Sequence, residues 1–415
     1  MNDKNLRMAH DIAELVAHSG GRVYYVGGYV RDSVISSWQN WLSPLFPPPP
    51  PKAKDIDIEI HGLELPEVMK ILESLGQVQT MGASFEILNL KHYELDISLP
   101  EDINGGAYKA ALRRDFTINA LMQDVLTGEI LDYFGGLDDI ANHVIRAVST
   151  RTFELDVLRV FRAARFASVL EFNVDDDTIK LASRVKVNLL PCERVMNELA
   201  LTLLKSREPS RFFDVINSMS RISNFTYYTH THTHTPSTTD YWFPTVVAEV
   251  LPLVNSATKV RESAYEKLYF MMSALCCELD DDSCVNFLTR LTNKADLIKY
   301  VLNMKKLSAE LIIAHSEESY MKIFDESICA NDLLLLANLL DDSRSNERAK
   351  YLELYNSRMS EPYLTGRDLI SQGLEPGVSL GRALKYAHRL RLAGFSRDEQ
   401  LVMTLKHIQN GEIES

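Results

Sequence analysis

Asp55-Ile56-Asp57 carries the sharpest chemical signal in the chain. In a strand, residues i and i+2 share a face, so both carboxylates can converge on one divalent ion while Ile56 anchors in the core. Asp-x-Asp alone is a weak signal, because any half-exposed strand produces it. Upstream stands Val26-Gly27-Gly28-Tyr29-Val30-Arg31-Asp32. A strand ending in two glycines lets a helix N-terminus approach a phosphate closely, and Arg31 adds positive charge. A phosphate site beside a metal site is what nucleotidyl transfer requires: hard Mg²⁺ bridges triphosphate oxygens and activates the attacking hydroxyl. Asp96, in Leu95-Asp96-Ile97, is either a third carboxylate on this sheet or an ordinary exposed strand position.

Two arginine-rich segments follow. Arg113-Arg114-Asp115-Phe116-Thr117-Ile118-Asn119 places two cations, an acid and an amide before an apolar stretch. Its plain reading is a helix cap at Asp115. Further on, Asp156, Arg159, Arg162 and Arg165 recur every three residues. On a helix they drift by about 60° per step and form one polar face, with Leu158, Phe161 and Phe166 elsewhere. Taken alone, such a stripe is usually a solvated surface. Three arginines beside one acid also suit a nucleotide. An Asp accepts from an exocyclic amine and an Arg donates to a ring nitrogen, a pairing that cytosine and adenine both offer. Guanine and uracil present a carbonyl and a ring N–H there, and each mismatch costs roughly 1–3 kcal/mol. The pair can therefore select C and A without a template.

The elements that must position these groups read as mixed α/β in the first half. Residues Asp11 to Ser19 look helical. Val23 to Val26 and Ile56 to Ile60 read as strands, the second with period-2 alternation. Pro66 to Leu75 reads as a helix stopped by Gly76. Phe85 to Leu90 and Tyr93 to Leu99 read as strands joined around Lys91-His92, which gives a small sheet with helices on one side. From about Thr150 the strands stop and the rest reads as helices. Phe46 to Pro51 holds five consecutive prolines, a polyproline II spacer. Asn224 to Asp240 contains His230, His232 and His234; alternate histidines could hold a metal, but the Thr/Ser/Pro setting reads as a mobile loop. Cys276-Cys277 lies in an apolar helix and reads as core.

Composition bounds the alternatives. The 415 residues hold 44 Lys+Arg and 57 Asp+Glu, a formal charge of −13. This length suits two to four cores. No apolar run reaches the roughly 18 residues of a membrane span. Five cysteines, none in a Cys-x-x-Cys spacing, indicate a reducing compartment, so a cytoplasmic location is expected. No protein partner is implied. The acidic balance argues against nucleic-acid binding by bulk charge.

Five ordered motifs then add up to a resemblance: Gly27-Gly28-x-x-Arg31-Asp32, Asp55-x-Asp57, Arg113-Arg114-Asp115-x-x-x-Asn119-Ala120, Asp156-x-x-Arg159-x-x-Arg162-x-x-Arg165-Phe166 and Glu193-Arg194-x-x-x-Glu198. In these the chain resembles the class II tRNA nucleotidyltransferases, the CCA-adding enzymes, which share their catalytic core with bacterial poly(A) polymerases. The resemblance covers residues 20–205, and Leu364-Thr365-Gly366-Arg367-Asp368 also looks like the C-terminus of such enzymes. It implies an α+β fold: a polymerase-β-like head over residues 1–147, then an all-helical neck (148–205), body (206–360) and tail (361–415). It implies Mg²⁺ on Asp55 and Asp57, and triphosphate and ribose on Gly27, Gly28, Arg31 and Arg114. Asp115 and Asn119 join the nucleotide site, Asp156 and Arg159 read the base, and Arg162 and Arg165 support it. The implied partners are CTP, ATP and the tRNA acceptor arm, whose 3′-hydroxyl attacks the α-phosphate.

The chain departs from the family pattern in four places. The usual Glu-Asp opening the base-reading motif is Leu155-Asp156 here. Only Glu101 to Leu112, twelve residues, separates Pro100 from Arg113, whereas members that build a whole CCA end carry a longer flexible loop. No His-Asp doublet of a fused phosphohydrolase appears in the helical half. Trp38 to Lys52 looks like an insertion. The short loop sets addition of CC ahead of CCA. A poly(A) polymerase and a non-catalytic RNA-binding relative are the other readings, the first opposed by the lack of a basic C-terminal extension, the second by the intact motifs. Residues 362–407 hold 7 basic and 4 acidic residues, and Arg382, Lys385 and Arg389 fall on one helix face that could meet RNA phosphates. Any RNA contact is therefore expected in a few basic patches with modest salt dependence.

Overall fold

The computed structural model describes residues 2–42, 56–81, 87–102, 105–222, 242–243 and 250–410. Asp55, the proline run and His230, His232 and His234 lie outside the described residues. The chain divides into two units, Met1–Glu198 with Arg211–Tyr241, and Leu199–Ser210 with Trp242–Ser415.

The first unit opens with α1 (Asn2–His18), β1 (Arg22–Val26), α2 (Gly28–Leu42), β2 (Ile56–His61), α3 (Leu65–Leu75), β3 (Val78–Met81), β4 (Ile87–Leu90) and β5 (Leu95–Ser98). Then come α4 (Gly106–Leu112), a 3₁₀ turn at Thr117–Asn119, β6 (Met122–Asp124), β7 (Ile130–Leu131), α5 (Gly136–Ala141) and β8 (Val144–Ile145). The helices α6 (Thr150–Leu155), α7 (Arg159–Leu170), α8 (Asp176–Ala182), α9 (Cys192–Lys205) and α10 (Ser210–Ile222) follow, with β9 (Asn173–Val174) between α7 and α8. Seven strands form one mixed sheet in the order β3-β4-β5-β2-β1-β6-β7. β2 runs parallel to β5, which sets Asp57 directly opposite Asp96, while β1 is antiparallel to both β2 and β6. Alternation sorts β2 cleanly. Ile56, Ile58 and Ile60 are fully buried, and Asp57, Glu59 and His61 take the opposite face.

Three expectations need correction. The sheet is larger than the sequence suggests, because β3, β6 and β7 are also paired into it. Strand structure does not stop at Thr150: β9 pairs in parallel with β8. Both are two-residue strands whose existence depends on a partner distant in sequence. Finally, Asp156 is not on the helix of the three arginines. It follows α6 in extended conformation (φ −130°, ψ 92°), and α7 begins only at Arg159.

The second unit is helical: α11 (Leu251–Ala257), α12 (Lys267–Cys276), α13 (Asp281–Leu291), α14 (Ala295–Ile313), α15 (Glu317–Glu326), α16 (Ala330–Leu340), α17 (Ser345–Ser360), α18 (Gly366–Ser371), α19 (Val378–Leu392) and α20 (Arg397–Gln409). Cys276 is fully buried in α12, as core. Side-chain caps fix several starts, among them reciprocal capping boxes at Ser316, Thr365 and Ser396. Asp332 is buried but satisfied by the Tyr265 amide (3.0 Å) and the Tyr300 hydroxyl. Arg382, Lys385 and Arg389 are exposed on α19, whose other face buries Ala383, Ala387 and Leu390. Among the described residues, no helix is long and apolar enough to cross a membrane.

Candidate active site

The turn between β1 and α2 begins the site. Gly27 has φ +66°, a left-handed conformation that penalises a side chain by roughly 1–2 kcal/mol. A Cβ placed there would sit 3.7 Å from Asp57 Oδ2 and 3.9 Å from Arg114 Nη1. The glycine turn, the β2 carboxylate row and Arg114 therefore meet at one point. The first turn of α2 holds no acidic side chain, so its free N–H groups carry an uncompensated positive partial charge beside that point.

One cleft of about 470 Å³ opens here, and most of the expected site residues line it. Gly27, Gly28, Arg31, Asp57 and Arg114 form one part; Asp115, Asn119, Asp156, Arg159, Arg162 and Arg165 form the rest. Asp55 is outside the described residues. Arg382, Lys385 and Arg389 stand on α19 of the second unit.

A buried network holds the basic side of the cleft. Arg31 Nη1 donates to Asn119 Oδ1 (2.7 Å), and Asn119 Nδ2 donates to Asp115 Oδ1 (3.0 Å). Arg162 donates to Asp115 Oδ2 through Nε (2.7 Å) and Nη2 (2.6 Å). Glu198 accepts from Arg165 and lies 3.8 Å from Arg162. Burial pushes the Asp115 carboxyl up, but Arg162, Asn119 and the Phe116 amide outweigh burial and hold it below the usual carboxylate range. The arginines crowd Phe166, with guanidinium carbons 4.0 Å (Arg165), 5.0 Å (Arg31) and 5.5 Å (Arg162) from its ring centre. Asp115 and Asn119 thus spend their hydrogen bonds orienting arginines.

A second layer fixes this segment. Thr117 Oγ1 donates to Asp139 Oδ2 (2.6 Å), and Asp132 accepts from the Gly136 and Leu137 amides at the start of α5 (2.8 and 2.9 Å). A Cβ on Gly136 would overlap the Thr117 carbonyl oxygen, so α5 can back the 3₁₀ turn only with glycine there.

The expected base-reading pair is already engaged. Arg194 Nη2 reaches both Asp156 oxygens at 3.1 Å. Arg159 donates through Nη1 to the Arg114 carbonyl (3.0 Å) and through Nη2 to the Arg113 carbonyl (2.7 Å). Leu155, where the family pattern has an acid, is 78% exposed.

Sequence reasoning passed over Glu59, which follows Asp57 on the same face of β2. It is buried, accepts from Arg114 Nη2 (2.9 Å) and pairs with His61 Nε2 (2.7 Å). Burial pushes its carboxyl up; the His61 hydrogen bond and the Arg114 charge outweigh that and hold it low. The alternation Asp57-x-Glu59-x-His61 was the available signal.

A mixed sheet thus carries the glycine turn and the carboxylate row, and helices follow it. Residues 85–146 match the Poly A polymerase head domain. The CCA-adding enzyme of Lactobacillus helveticus (strain DPC 4571) is 26% identical over 412 residues, covering 92% of each chain. A solved complex of a CCA-adding enzyme with CTP has a TM-score of 0.69 at 21% identity, covering 97% of this chain and 94% of that one. The Thermotoga maritima CCA-adding enzyme, solved with tRNA, gives 0.64 at 22% identity, covering 96% and 94%. The chain is thus similar over most of its length to CCA-adding enzymes, and its residues 85–146 to the Poly A polymerase head domain.

Proposed function

We propose that this chain adds C residues to the 3′ end of tRNA without a template, building CC, by attack of the tRNA 3′-hydroxyl on the α-phosphate of CTP. The observation that carries the reading is the single cleft in which the glycine turn, Asp57, Arg114 and the Asp156–Arg159 pair line one wall system. The α2 N-terminus with Gly28, Arg31 and Arg114 binds the triphosphate. Asp156 accepts from the cytosine amine, and Arg159 donates to its ring nitrogen. Neither group is exhausted by its present partners. A carboxylate offers about four lone-pair positions and a guanidinium five N–H donors, so Arg194 and the two carbonyls orient the pair without consuming it.

The family uses a divalent metal. Asp57, facing Asp96 across the β2–β5 register, offers hard oxygen donors next to the glycine turn, the donor type Mg²⁺ takes. Asp55 and Asp57 would hold it, and Mg²⁺ when bound supplies Lewis acidity at the phosphoryl oxygens.

Addition of CC rather than CCA rests on the link from Pro100 to Arg113. Seven of its twelve residues form α4, and Ala110 and Ala111 are buried. Little length remains for a flexible arm that could reshape the pocket for adenine. Full CCA addition is the second reading, supported by the CCA-adding name of a relative that matches over 92% of its length. The test is incubation of the purified chain with Mg²⁺ and tRNA ending at the discriminator base, with CTP, ATP or both. Two added C residues and no A are expected. A terminal A overturns CC specificity in favour of CCA, a long A tract points to poly(A) synthesis, and no incorporation overturns the enzymatic reading. Location in the cytoplasm accords with five unpaired cysteines.

A further inference from the structure

Glu59 and His61 lie outside every motif of the family resemblance, yet both are buried and both belong to β2, the strand that gives Asp57 to the cleft. Three observations converge on them. First, one Arg114 guanidinium is shared: Nη2 is held by Glu59 Oε2 at 2.9 Å, while Nη1 points to the Gly27 turn, 3.9 Å from where a Cβ would stand. Fixing one Nη aims the other, because the guanidinium is a rigid plane. Second, the remaining Glu59 oxygen is not left bare. His61 Nε2–H donates to Oε1 at 2.7 Å, and the ring edge meets Tyr24 at 5.2 Å between centroids. Third, His61 Nδ1 is buried with no hydrogen-bond partner among the described residues. A buried polar atom left unpaired costs free energy, so the imidazole is better explained by what its other nitrogen does than by its own packing.

We propose that Glu59 is a positioning residue for Arg114, and that His61 in turn locks Glu59, so that β2 presents its metal-side acid and its triphosphate-side cation in fixed relation. This rests on the reading of Arg114 as a triphosphate ligand. Asp57, Glu59 and His61 occupy alternate positions of one strand, so one face carries the whole chain outward from the cleft. Without Glu59, the Arg114 side chain, now about one-third exposed, regains its rotamers and must be ordered by the nucleotide at each binding event.

The experiment measures steady-state CTP incorporation into tRNA lacking CCA, and equilibrium CTP binding, for Glu59→Ala, Glu59→Gln, His61→Gln, Arg114→Ala and the Glu59→Ala/Arg114→Ala double variant of the full chain. Thermal unfolding is followed alongside. Glu59→Ala is expected to raise the KM and Kd for CTP about tenfold with a smaller change in kcat, and Glu59→Gln to restore part of that, since an amide oxygen still accepts from Arg114. His61→Gln should give a smaller rise in the same constants. The double variant should match Arg114→Ala, because a residue acting through another adds nothing once that other is gone. Effects of Glu59→Ala and Arg114→Ala that multiply overturn the proposal, as does an unchanged CTP KM in folded Glu59→Ala or folded Glu59→Gln. If Glu59→Ala fails to fold, the Glu59→Gln and His61→Gln constants decide: a raised CTP KM supports the chain and wild-type values overturn it. An unchanged CTP Kd in Arg114→Ala instead overturns the triphosphate reading beneath it.

Discussion

Arg162 touches one buried acid and faces another, Asp115 and Glu198, and this determines how the site responds to substitution and to pH. Removing Asp115 leaves Arg162 partly uncompensated inside the protein. Asp115→Ala should therefore cost about 3–5 kcal/mol, read as a lowered denaturation midpoint. The Asp115 carboxyl titrates below its unfolded value of about 3.9. Its stabilising contribution is thus fully present above that value and is lost as pH falls through the lower folded value. Unfolding free energy measured from pH 5 downward should fall less steeply in Asp115→Asn than in the parent chain. Specificity belongs to this scale too. Asp156→Ala should relax discrimination against UTP and GTP by about 1–3 kcal/mol, a 5- to 150-fold change in relative kcat/KM. Unchanged selectivity would refute the base-reading role. Asp57→Ala should abolish incorporation by at least about 10³-fold, and retained activity would refute its metal role.

At the scale of elements, two glycines are structural requirements for different reasons. Gly27 is needed for its left-handed backbone, Gly136 for the close approach of α5 to the Thr117 carbonyl. Gly136→Ala should overpack that contact and cost about 1–3 kcal/mol, visible as a fall in Tm and in incorporation. Elements were legible in the sequence where local pattern and tertiary role agreed. β2 alternates isoleucine with polar residues and puts the isoleucines on one fully buried face, but the burial of Glu59 and His61 on the other face left no trace in that alternation. The three-residue spacing from Asp156 to Arg165 read as one helix. The structure instead breaks the chain at Asp156, whose carbonyl accepts from the Arg159 amide (3.0 Å) and whose side chain is drawn to Arg194. A repeat of polar residues does not record where backbone hydrogen bonding starts. β7, β8 and β9 were illegible because two residues carry no period at all.

For the whole molecule, the charge of −13 frames how RNA is to be held. Residues 1–205 carry 21 basic and 29 acidic side chains, yet the cleft's own arginines are largely neutralised by Asp115, Glu198 and Glu59. Long-range attraction of tRNA should be weak. On the proposed reading, exposed Lys385 and Arg389 of α19 supply phosphate contacts. Alanine at either should weaken tRNA binding across all sequences and lower the slope of log K against log salt by about 1. CTP binding should not change, and an unaltered salt slope would remove these two residues from the interface.

The sequence by itself determined the glycine turn, the acid-x-acid strand and the order of the arginine motifs, because each is a local pattern written in adjacent residues. Only the tertiary structure decided what those groups do to one another. It set Asp57 against Asp96 across a parallel register, pinned Arg114 to Glu59 over 55 positions and Arg162 to Asp115 over 47, and engaged Asp156 with Arg194. Hydrogen bonds and ion pairs depend on distance in space, and separation along the chain carries no record of that distance until the sheet and helices have packed.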